Sequence, residues 1–302
     1  MRRWQLWIVA WLVTFTGSCI EVVRWKQQDV YLKYDAAADT AEMLLVYDKV
    51  FAGKRGDEAL ARATHAVEAI AAGSRYFVIA DWPLEFELDG DVRGEDSKLL
   101  DALAKRAPEP GSPEELGLEF LAGIEVRHAS LHLSPDRGLA IVQHVRLPRF
   151  SLAVRAVNAA LSREYAAQED PTGDFTPEEW SAWREYARSG KPWLAVTESG
   201  FEFRAPYGGH WLAALMKYCA ESRHDEGFTP GVAGALTELA VEDGEAIFRW
   251  RTDDTGAVHF RFPMPDAKKE LDENSLALAI AASTVKLERD ESAHARVLRF
   301  LR

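Results

Sequence analysis

Runs of alternating apolar and polar residues occur in pairs along this chain, joined by tight-turn signals, and this pairing restricts the available folds more than any other feature. From Ile20 to Tyr34 the chain reads as extended, with Val30, Leu32 and Tyr34 on one face. Asp35 to Asp39 supply a turn, and Glu42 to Phe51 return as a second strand. A second hairpin joins Ile124–Leu133 to Leu139–Leu147 across Pro135-Asp136-Arg137-Gly138, where Pro fixes φ and Gly admits a positive one. A third is expected across Asp253-Asp254-Thr255-Gly256, joining Ile247–Arg251 to Val258–Phe262. Residues 75–88 read as a further strand, bent or at an edge where Pro83 stands, and two short strands fall around 193–205.

Helices fall between hairpins rather than between single strands. One spans about 57–72, with Asp57 as N-cap, the stripe Leu60, Thr64, Val67, Ala71, and His65 on the polar side. Another spans 150–166, with Phe150, Val154, Val157, Leu161 and Tyr165 as its stripe. Ser112-Pro113-Glu114-Glu115 and Thr176-Pro177-Glu178-Glu179 share one design, a hydroxyl at N-cap, Pro at N1 and Glu at N3. That is a capping box, in which hydroxyl and carboxylate satisfy opposite orphan amides, so these acid pairs are structural rather than catalytic. A helix over 209–223 carries the apolar stripe Leu212, Leu215, Met216 and Cys219, which makes Cys219 an expected buried, inert thiol. In 268–302, Leu276, Leu278 and Ile280 alternate like a strand within an Ala-rich context that also permits a helix. The whole pattern predicts an α+β fold of antiparallel β-hairpins interleaved with amphipathic helices. Subdomain boundaries are expected near 104–113 and 168–177.

Residues 1–18 have a different character. Arg2 and Arg3 precede an apolar run from Leu6 to Phe15, followed by the small residues Thr16, Gly17 and Ser18 and then Cys19. A charged start, a short apolar segment and a small-residue cut site describe a secretory signal. A membrane span would need about 20 apolar residues, and extending this run brings in Glu21. Thr16-Gly17-Ser18-Cys19 resembles the lipobox of bacterial lipoproteins, with Thr16 where Leu is usual. The resemblance covers only these first residues. It implies that residues 1–18 are removed and that Cys19 becomes the acylated N-terminus of a body spanning 19–302, anchored to a membrane. Ile20 rather than Asp after the Cys implies no inner-membrane retention, which favours an outer membrane. An ordinary cut after Ser18 and an uncleaved anchor are the alternatives.

Composition narrows the partners. The chain has 36 Lys and Arg against 48 Asp and Glu, and losing Arg2 and Arg3 brings the mature side-chain balance to −14. So acidic a surface repels phosphate backbones, which argues against nucleic acid and against a polybasic membrane face. Another envelope protein or a small ligand remains as partner. Only Cys19 and Cys219 are present, so no disulfide framework is expected. Of ten Trp residues, those beyond the signal are spread along the chain and point to core filling.

Signatures of common catalysis are absent from the sequence: no nucleophile elbow, phosphate-binding loop, dinucleotide fingerprint or zinc-protease helix occurs. Nothing calls for a cofactor or a metal. The best remaining constellation is His128, Ser130 and His132 on the second hairpin. Pairing Ser134 with Leu139 sets Ser130 opposite Gln143 as a polar strip and puts His144 on the other side. His128 and His132 stand roughly 13 Å apart in a strand, too far to share zinc. Two lesser features are Gly208-Gly209-His210, which opens a helix whose N-terminus could hold an anion, and the acidic run Asp81, Glu85, Glu87, Asp89, Asp91. The expected function is a lipid-anchored binding or assembly module without enzymatic activity. A tethered hydrolase with a dispersed site is the alternative.

Overall fold

The computed structural model describes residues 23–53, 56–71, 109–133, 138–167, 175–221, 228–263, 273–283, 287 and 292–302. The expected strand at 75–88, the acidic run at 81–91 and the Pro135–Arg137 turn lie outside them. Among the described residues, ten strands and eight helices form an α+β fold with two antiparallel sheets. The larger sheet has the order β10 (Val258–Pro263), β2 (Gln27–Asp35), β3 (Thr40–Ala52), β5 (Leu139–Pro148), β4 (Glu125–Leu133). Short β1 (Val23–Arg24) extends the β2 side of β3. The smaller sheet runs β6 (Leu194–Thr197), β7 (Gly200–Pro206), β9 (Glu245–Arg251), β8 (Glu238–Glu242).

The first two hairpins form as expected. Asp39, at φ 47°, closes the first, and its carboxylate accepts from the Ser151 amide and hydroxyl, which fastens the turn to a helix start. The third hairpin does not form. Its turn does, with Asp253 accepting from Thr255 and Ala257. But β9 is already paired on both edges by β7 and β8, so β10 leaves for the larger sheet and pairs with β2. This turn therefore carries the chain from one sheet to the other.

The inner face of the larger sheet buries Val30, Met43, Leu45, Tyr47, Leu131, Ile141, Val145 and Phe262 beneath α1 (Asp57–Ala71) and α7 (Glu273–Ala282). Helix α1 buries Ala63, Ala66, Val67 and Ile70, and of the expected stripe Val67, Leu60 and Ala71 pack on this core. His65 is exposed, as expected. The alternation at 276–280 resolves as helix: Leu276 and Ile280, one turn apart, are buried in α7, while Leu278 is 61 % exposed.

A second core lies on the smaller sheet. Helix α4 (Pro177–Arg188) inserts Trp180 and Trp183 against Trp193, Trp211, Tyr165 and Phe175, with Trp183 ring centroids 4.7–5.3 Å from the last four. The tryptophans fill core as expected, but they concentrate in this one. Helix α3 (Phe150–Ala167) joins the two cores. Phe150 packs on the first, Leu161 and Tyr165 on the second, and Leu152 and Ala156 pack on α2 (Pro113–Leu121) between them. Asn158 on α3 binds the β6 start, accepting from the Trp193 and Leu194 amides and donating to the Leu194 carbonyl. Both helix-start signals form caps. Thr176 and Glu179 make the full box, whereas Ser112 takes the Glu115 amide and the Glu115 carboxylate reaches one residue further back, to Gly111.

Candidate functional site

The polar strip expected on the second hairpin is divided by the sheet. Leu133, rather than Ser134, faces Leu139, so Ser130 stands opposite Val142, His132 opposite Ala140 and Gln143 opposite Ala129. A one-residue slip in register moves a whole side-chain set to the other face. Gln143 is consequently on the inner face, apart from Ser130. His144, expected on the far side, joins the outer face opposite His128, the last pair before a bulge at Arg127.

The outer face of the larger sheet is built in rows. One crosses five strands as His259, Tyr31, Leu44, His144 and His128, and the next as Arg261, Asp29, Val46, Val142 and Ser130. The middle is apolar and is covered by the C-terminal helix α8 (Ala293–Leu301), which lays Val297, Phe300 and Leu301 on Leu44, Val142, Val46 and Tyr31. Lys33 fixes the end of α8 by donating to the Phe300 carbonyl at 2.8 Å, with its ammonium 5.3 Å from the Phe300 ring centre.

Polar groups flank this apolar band. On the β10 side, Asp29 accepts from Gln27 and Arg261 and contacts His259 Nε2 at 2.8 Å, and His259 stacks on Tyr31. Burial alone would raise the Asp29 carboxyl, but the hydrogen bonds from His259, Arg261 and Gln27 hold it below the usual carboxylate range. On the β4 side, His144 Nε2 meets Glu42 at 2.6 Å and its ring meets Phe300 edge-on. Beyond it, Ser130 Oγ lies 2.8 Å from His132 Nε2, and both residues are buried at 5 % and 3 % exposure. His128, two residues before Ser130, is exposed. A hydroxyl in contact with an imidazole can act as a nucleophile when the ring nitrogen accepts the proton.

Gln143 belongs to a different group. It accepts the Tyr47 hydroxyl at 3.1 Å inside the main core, next to the wholly buried Gln28. Gln28 and Asp29 were missed at the level of sequence, although a signal existed. Extending the Val30, Leu32, Tyr34 alternation back by two puts Gln28 on the inward face.

The other expected features resolve structurally. The N-terminus of α5 (Gly209–Glu221) does hold an anion, the chain's own Glu179, whose carboxylate accepts from the His210 amide at 2.8 Å and the Trp211 amide at 3.5 Å. Gly208 permits that approach, since a Cβ there would lie 2.4 Å from the carboxylate oxygen. Met216, expected on the buried stripe of α5, is 46 % exposed, and Cys219 lies in its last turn. On the open face of the smaller sheet Arg249 is bound by Glu202, Glu238 and Glu242. Among the described residues there is no group of three or more His, Cys, Asp and Glu placed to hold a metal, and no helix long and apolar enough to cross a membrane.

Comparison with protein-family models, with curated proteins and with solved structures returns no match for this chain.

Proposed function

We propose that this protein is exported, held at a membrane by lipid on Cys19, and that its body is a binding or assembly module of the cell envelope. The observation that carries this reading is the junction between the signal segment and the fold. Only Ile20, Glu21 and Val22 separate Cys19 from Val23. Val23 is already buried at 2 % exposure and paired with Ala52. A fold that begins directly after an acylated residue would be seated on the bilayer surface. The signal-like start, the lipobox resemblance and the acidic composition support the same reading.

The test is the intact mass of the membrane-extracted protein, beside a Cys19→Ala variant and a culture treated with globomycin. A chain that starts at Cys19 and carries acyl mass, lost in both controls, is expected. An unacylated chain cut after Ser18 would overturn the anchor and leave a free exported protein.

One observation favours a second reading, a tethered hydrolase: the Ser130–His132 contact at 2.8 Å. A fluorophosphonate probe separates the two. For a binding module, wild type and Ser130→Ala stay equally unlabelled. Labelling that disappears in Ser130→Ala would establish the hydrolase.

A further inference from the structure

Within the main core, β2 places Gln28 between two aromatic neighbours, opposite Tyr47 on β3 and Phe262 on β10. The residue is 0 % exposed. Among the described residues, neither its Oε1 nor its Nε2 meets a hydrogen-bonding partner. Tyr47 directs its hydroxyl to Gln143 Oε1 at 3.1 Å, and Trp25 packs edge-on against Tyr47 at 5.0 Å. The remainder of this face is apolar, including Val30, Leu45, Ile141 and Phe262.

A primary amide carries two donors and two acceptors, and leaving both kinds unmet away from water is among the costlier faults a core can contain. Buried polar side chains nearly always have a partner, either protein or ordered water. No described protein group supplies the Gln28 partner, and a molecule held beside it would. Gln28, Tyr47 and Gln143 are uncharged, and burying an ion among them without a counter-charge would be prohibitive, so the occupant is neutral. It must also donate to Oε1 while accepting from Nε2. Tyr47 can assist, since a phenol that donates can also accept.

We propose that Gln28, with the Tyr47–Gln143 pair beside it, forms an internal site for a small uncharged molecule that both donates and accepts hydrogen bonds. Water meets this description, as does the hydroxyl or amide of a small neutral solute. The site is independent of the lipid on Cys19 and stands whether or not that anchor exists.

A crystal structure of the full mature chain, at a resolution that places ordered water, should show a species bonded to both Gln28 atoms. Native mass spectrometry of protein purified from its own membrane and from an unrelated host separates the sources. A retained excess mass in the first alone identifies a solute, and no excess with the site filled identifies water. Either result supports the site. Gln28→Met keeps the shape of the residue and removes the hydrogen bonds, so Tm should fall by roughly 2–4 °C if they are made. A rise in Tm, an empty site, or a Gln28 amide bonded only to protein groups would overturn the proposal. If Gln28→Met fails to fold, the wild-type crystal structure still decides.

Discussion

At Glu179 one carboxylate serves the first turns of two helices. It accepts from the Thr176 amide as the far half of a capping box and from the His210 amide at the start of α5, joining elements that flank the second core. Burial pushes this carboxyl up, but the backbone amides of Thr176, His210 and Trp211 pull it down further, leaving it below its ordinary value. A lowered folded pKa means that its contribution is complete above the unfolded value and is lost as pH falls through the folded one. Glu179→Gln should therefore cost about 2 kcal/mol at neutral pH, the scale of hydrogen bonds to a charged group. The cost should shrink as pH falls below the ordinary glutamate value of about 4.3 and vanish once pH passes the lower folded value. Urea unfolding at pH 7 and at pH 3 checks this, and an equal loss at both would refute the ionic account. The same residue shows what a single sequence conceals. The capping box was legible from Thr176 and Glu179, and the anion-binding character of Gly208-Gly209-His210 was legible from the Gly pair. That the two features satisfy each other depends on a contact between residues 31 apart, which local pattern does not encode.

Among elements, the second hairpin and α8 show the same limit. Alternation found both strands of the hairpin and put His128, Ser130 and His132 on one face, because parity within a strand needs no partner. Parity across strands does need one. The register leaving the turn sets it, Leu133 rather than Ser134 facing Leu139, and this shift of a single residue took Gln143 out of the strip and brought His144 in. The β9–β10 hairpin failed for a related reason: the turn chemistry at Asp253 was correct, but β9 had no free edge to offer. Helix α8 was ambiguous in sequence and depends on tertiary contact, with Val297 at 8 % exposure against Leu44 and Val142. Val297→Asp would bury a charge in that contact and should cost about 3 kcal/mol. It should also expose the apolar band of the outer sheet, read as ANS binding at pH 7 with strand content retained by far-ultraviolet circular dichroism. Unchanged ANS binding would show that α8 does not seal this face.

For the whole molecule, the two cores are coupled through α3, which lends its first turns to one and its last to the other, and through the Asp253 turn that exchanges the chain between sheets. The anchored end, on the proposed reading, is the end of the larger sheet where β1 meets Ala52. Cys19→Ala should then move the protein from the membrane fraction to the soluble envelope fraction. A protein that stays with the membrane after that change would need another means of attachment.

The pairing of Val23 with Ala52 leaves the chain almost no slack. Four peptide steps from Cys19 span at most roughly 14 Å, so a lipid there would give the body a leash shorter than its own width. Such a molecule patrols a sheet rather than a volume. On the proposed reading, whatever it captured would have to arrive by sideways drift within the same leaflet or descend to that thin layer, and its working concentration would be counted per area of membrane.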